Sequence, residues 1–114
     1  MKNSTLQRAA KAGRIIRETI GTDFTCYVAQ EWKPHLYDDQ ATREMTERVQ
    51  ANALMVLVHY HDNPLSKFVN YDAGDYDSIE KLAKALDAGG FFVEDKAGWW
   101  SAVYVSDLSK VDLP

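Results

Sequence analysis

Cysteine is all but absent from this chain of 114 residues; Cys26 stands alone. A disulfide within the chain is thereby excluded, and a lone thiol fits a reducing cytoplasm, the compartment the sequence points to. Long apolar runs are missing too. The longest, Ala53 to Val58, falls far short of the roughly 20 residues a membrane-spanning helix needs. The N-terminus lacks the apolar core and small-residue cleavage site of a secretory leader. There is no internal repeat and no low-complexity stretch, so a single domain spanning 1–114 is expected. The signatures of common catalytic folds are also missing. There is no G-x-S-x-G nucleophile elbow, no phosphate-binding P-loop and no G-x-G-x-x-G turn. No cofactor is implied, and no complete catalytic set is visible, which points away from an enzyme.

What the chain does contain is a charge split. The net charge is −4, but residues 1–20 hold Lys2, Arg8, Lys11, Arg14 and Arg17 against Glu18 alone. The first helix is therefore basic and the remaining body acidic. An acidic body repels phosphates, which argues against direct nucleic-acid binding. The charges of the basic helix are expected to be solvated or paired with the body.

The periodicities give an α+β fold. Leu6, Ala9, Ala10, Gly13, Ile16 and Ile20 recur at helical spacing over about 4–20, and Gly21 supplies a stop. Gly13, costly in a helix interior, suggests close approach of that helix to the sheet. Phe24 to Trp32 reads as a strand with Cys26 as a small buried hydrophobe. Asp38 or Asp39 caps a second, mostly polar helix with Ala41, Met45 and Val49 on one edge. Leu54 to Val58 has no polar position and reads as a central strand buried on both faces. Lys67 to Tyr71 reads as a short strand, and Asp77 opens a third helix that stops at Gly89-Gly90. The segments 91–95 and 99–106 form a C-terminal hairpin turning at Lys96-Ala-Gly98, and the last eight residues read as a tail. The order α-β-α-β-β-α-β-β implies a mainly antiparallel sheet of about five strands with helices packed against it.

The densest chemistry lies in Asn70-Tyr-Asp-Ala-Gly-Asp-Tyr-Asp77. Here Tyr71, Asp72, Asp75, Tyr76 and Asp77 crowd together with no Lys or Arg among them. Tyrosine offers stiff contact area at low entropic cost, and carboxylates add charge complementarity, so these residues suit a partner-binding loop. Their D-x-x-D-x-D spacing does not match a calcium loop. Trp99 and Trp100 are adjacent on a strand and should face opposite sides, one into the core and one, Trp100, onto a second sheet face as a binding anchor. A rival reading centres on His59 and His61, which on a strand point to one face about 7 Å apart. They could start a metal site, as in a small metal-dependent hydrolase or ligand-binding protein, but further ligands are not apparent.

These features converge on a small acidic protein that binds another macromolecule. The expected partner is a protein, with nucleic-acid-binding proteins among the candidates, and no membrane is involved. In size and charge the chain is like the immunity and anti-defence inhibitors of phages and plasmids, an analogy that rests on those two properties alone. A self-associating subunit, a homo-oligomer pairing through a sheet edge or an exposed aromatic face, is the remaining alternative.

Overall fold

The structure is a computed structural model that describes residues 3–34, 39–60, 63–70, 72 and 75–112. Helix α1 (Asn3–Ile20) leads through Gly21 into strand β1 (Thr25–Val28), which passes directly into a 3-10 turn, Ala29–Glu31. Then follow α2 (Gln40–Asn52), β2 (Met55–Val58), a single helical turn α3 (Ser66–Val69), α4 (Tyr76–Gly89), the hairpin β3 (Phe91–Asp95) and β4 (Trp100–Val105), and a last turn α5 (Leu108–Val111). Among the described residues the sheet has four strands in the order β1-β2-β4-β3, all antiparallel. The α+β class is as the periodicities predict, with four strands in place of about five.

The missing strand is the one expected at Lys67 to Tyr71, of which Tyr71 lies outside the described residues. The Asn63 side chain accepts a hydrogen bond from the Leu65 N–H at 2.9 Å, and Ser66 N–H bonds back to the Asn63 carbonyl. That turn starts a helix, so Phe68 and Val69 pack on the helical face of the core. The expected tail also folds. Asp107 accepts from Ser109 N–H at 3.0 Å and caps α5, which inserts Val111 into the core. Strand β1 is shorter than Phe24 to Trp32 because the chain turns at Ala29, whose N–H bonds to the Leu54 carbonyl.

Side-chain alternation along the strands divides the core into two layers. On one face Met55, Leu57, Phe91 and Val103 meet Ala12 and Ile16 of α1, Leu82 and Leu86 of α4, and Leu65, Val69 and Val111 from the short turns. On the other face Val56, Val58, Trp100 and Ala102 are covered by Trp32, Ala29 and Val49. β2 is central and buried throughout, as its apolar run requires.

Helices thus cover both faces, and this revises the place expected for Trp100. It is 1% exposed, sits among Trp32, Val49 and Val56, and is part of the core rather than a surface anchor. The opposite-sides expectation for Trp99 does not hold either. Trp99 precedes β4, so strand alternation does not govern it, and its ring lies 5.9 Å from Trp32 on the same layer as Trp100.

Candidate functional site

The acidic stretch is positioned by α4 and by the hairpin turn. Asn70, nearly fully buried, donates from Nδ2 to the Gly98 carbonyl at 3.0 Å. Its Oδ1 accepts the Asp72 N–H at 2.9 Å. One side chain therefore moors the start of the acidic segment to the turn between β3 and β4. Shortly after, α4 begins. Its N-cap is Asp75 rather than the expected Asp77. The Asp75 carboxylate accepts the Ser78 N–H at 2.8 Å, which holds its pKa below the ordinary carboxylate value. Lys67 Nζ stands 3.9 Å from Asp75. Asp77 falls in the first helical turn, where the helix dipole favours an anion.

Tyr76 is 81% exposed, the most exposed large hydrophobic side chain in the described structure. Asp72, Asp75 and Asp77 are all exposed around it in the chain. Of the six residues expected to bind a partner, these four are on the surface, Trp100 is in the core, and Tyr71 lies outside the described residues. On the far side of Gly98, Tyr60 stacks on Trp99 with ring centroids 5.4 Å apart, and Tyr60 is 48% exposed. Sequence reasoning misses this aromatic pair. Its only signal is the run of aromatics at 59–61 and 99–100, whose proximity depends on β2 pairing with β4. The Asn70–Gly98 bond thus ties the start of the acidic segment to the turn that precedes Trp99, whose half-buried ring carries the exposed Tyr60.

The rival histidine reading meets a different environment. His61 lies outside the described residues. His59 is not at a wet strand end but 0% exposed, one residue past β2 on the α1/α4 side of the sheet. Its Nε2 is 2.6 Å from Ser101 Oγ, itself fully buried, and 4.0 Å from Asp95 Oδ1. Asp95 in turn accepts the Gly98 N–H at 3.0 Å and closes the hairpin turn. Burial lowers the His59 pKa, and the nearby Asp95 charge opposes that shift. These residues have the composition of a hydrolytic triad but not its geometry. A triad needs the acid on Nδ1 and an accessible serine on Nε2. Here both groups share Nε2, and Nδ1 has no hydrogen-bond partner among the described residues. The cluster is a polar brace from the end of β2 to β3 and β4, buried at His59 and Ser101 and open to solvent at Asp95. No group of three His, Cys, Asp or Glu among the described residues is arranged to hold a metal ion.

Cys26, expected in the core, is exposed on β1. Desolvation raises its thiol pKa against the lowering influence of Arg17, so it is not an activated thiolate. None of the helices among the described residues is long and apolar enough to cross a membrane. Neither a protein-family model nor a curated protein nor a solved structure matches this chain.

Proposed function

We propose that the protein works by binding another macromolecule through the surface built from Asp72, Asp75, Tyr76 and Asp77, extended across the hairpin turn by Tyr60 and Trp99. The observation that carries this reading is Tyr76, held 81% exposed on a rigid helix start between two exposed aspartates. A folded protein gains nothing in stability from presenting that ring to water, whereas a partner gains a preorganised aromatic anchor with charge on both sides. The complementary partner is a protein with a basic face, and nucleic-acid-binding proteins offer such faces. Binding there would occlude the partner's phosphate-binding groove, the action of an inhibitor of the immunity or anti-defence type, of phage or plasmid character. The protein itself performs no covalent chemistry in this reading, which is consistent with the burial of Ser101 and His59.

The test uses isosteric neutralisation. Asparagine caps helices as well as aspartate does, so Asp72→Asn, Asp75→Asn and Asp77→Asn together remove charge while keeping α4 intact. Wild-type protein immobilised in host lysate is expected to retain a stoichiometric partner that mass spectrometry identifies. Calorimetric titration of that purified partner should then show at least a tenfold loss of affinity for the triple variant and for Tyr76→Ala. Unchanged affinity in both variants would remove this surface from the account.

A further inference from the structure

The two edges of the sheet are built differently. β3 ends in Glu94 and Asp95, carboxylates of the kind that discourage a further strand from pairing. β1 reads Thr25-Cys26-Tyr27-Val28, with no charge and no proline, and its register with β2 runs without a bulge. It is the other edge strand, and no strand lies beyond it among the described residues. Ala29, opposite Leu54, donates its N–H to the Leu54 carbonyl. Alternation in an antiparallel ladder then directs the backbone groups of Thr25 and Tyr27 toward β2 and those of Cys26 and Val28 toward the open edge. Beside that edge runs a groove of about 390 Å³ between β1 and α1, lined by Leu6, Ala9, Gly13, Cys26, Val28 and Met55. Leu6 and Tyr27 at its rim are both exposed.

We propose that β1 is the interface of a twofold dimer, pairing antiparallel with β1 of a second copy so that Cys26 lies opposite Cys26 and the two sheets join into one of eight strands. Symmetry and pleat fix the register. Each side chain stays on its own sheet face only if the twofold axis passes through a residue of the strand and not between two residues. An axis at Tyr27 would bring Ala29 into the ladder, where the chain has already turned into the 3-10 segment. An axis at Cys26 uses the backbone groups that point outward, and it sets Phe24 opposite Val28 and Thr25 opposite Tyr27. No charged residue is apposed in this register. Arg17, which lines the groove, directs its Nε to Asp23 at 2.8 Å. Val28 and Cys26 of the second copy fall on the α1 side, at the mouth of the apolar groove. This self-complementarity selects a second copy over a foreign strand, and the interface is separate from the acidic surface around Tyr76.

Sedimentation velocity over the micromolar range, with amide hydrogen exchange on the same samples, tests the pairing. The wild-type chain should sediment as a concentration-dependent dimer. The Cys26 and Val28 amides, open to water in a single copy, should exchange more slowly as concentration rises. A short bis-maleimide should link Cys26 to Cys26. Cys26→Lys sets two ammonium groups face to face at an exposed site and is expected to give a monomer that melts as the wild type does at concentrations too low for pairing, while Cys26→Ser remains dimeric. A wild-type chain that stays monomeric, or Cys26 and Val28 amides whose exchange ignores concentration, would overturn the proposal. A Cys26→Lys protein that is still dimeric would do the same.

Discussion

His59 is a fully buried histidine whose ring has one partner at Nε2 and none among the described residues at Nδ1. Burial lowers its pKa below 6.5, so the folded state holds the ring neutral where the unfolded chain would protonate it. The unfolded state therefore binds more protons just below that value, and stability must rise with pH across this window. The contribution of His59 is fully present above about pH 6.5 and is lost as pH falls below it toward the lowered folded-state value. Asp95, the acidic group facing Nε2, softens the loss without reversing its sign. His59→Gln is expected to be less stable at pH 7.5, by about 1–3 kcal/mol, because the 2.6 Å bond to Ser101 is lost inside the core. Its urea midpoint should also fall less than that of the wild type between pH 7.5 and 5.5. Equal pH dependence in the two proteins would mean that His59 is not the group that titrates.

At the scale of elements, α1 contains an avoidable defect. Gly13 suggests close helix–sheet approach, yet a Cβ built there meets only Phe24 Cζ at 3.8 Å, an ordinary contact. Nothing in the fold requires glycine at that point, so Gly13→Ala is expected to stabilise the protein by roughly 0.5–1 kcal/mol through helix propensity and a less flexible unfolded chain. Gly90 is the contrasting position. It closes α4 at φ 91°, and a Cβ there would lie 2.5 Å from the Asp107 carbonyl oxygen. Gly90→Ala should therefore destabilise by more than the ~1 kcal/mol of the left-handed backbone alone. Thermal melts of the two variants should move in opposite directions, and a destabilised Gly13→Ala would show that α1 needs the small residue.

Elements with strong local signals are legible in the amino-acid sequence. The stripe Ile79, Leu82, Leu86 ending at Gly90, the hairpin turn at Gly98 and the unbroken apolar run of β2 each combine periodicity with punctuation. Those that depend on tertiary context are not. Residues 67–71 read as a short strand, but the Asn63 side-chain turn makes the first of them helical. The helix α5 is held by Lys11, whose Nζ meets the Lys110 and Val111 carbonyls at 3.0 and 2.8 Å across 99 and 100 residues of chain, and no local pattern announces that. Of the candidate site, the exposed aspartates and Tyr76 are readable from composition. The exposure of Cys26 and the burial of Trp100 follow from strand order and from helices covering both faces, which pairwise alternation does not encode.

The whole molecule resolves the charge split by pairing the basic helix with the body. Arg8 makes a two-pronged contact with Asp112 at 3.1 Å, Lys11 closes the end of α5, and Arg17 holds Asp23. Each exposed pair contributes little to stability, but together they commit Arg8, Lys11 and Arg17 of α1 to the fold's own carboxylates and carbonyls. The acidic surface at the start of α4 has less internal compensation, the Lys67–Asp75 approach being long at 3.9 Å. Long-range steering of a partner should consequently be governed by the acidic side of the molecule. If the basic-faced partner proposed above is correct, its association rate should fall as ionic strength rises, because added salt shortens the screening length to about 8 Å at 0.15 M. Neutralising Asp72, Asp75 and Asp77 to Asn should flatten that dependence and slow association at low salt, with a smaller change in the dissociation rate from the charges than from Tyr76→Ala. Arg8→Gln, which removes a cation already paired within the fold, should leave the salt slope as it is. Stopped-flow or surface-based kinetics at three ionic strengths separates these cases. A slope that responds to Arg8 and ignores the three aspartates would transfer the binding face from the start of α4 to the basic helix.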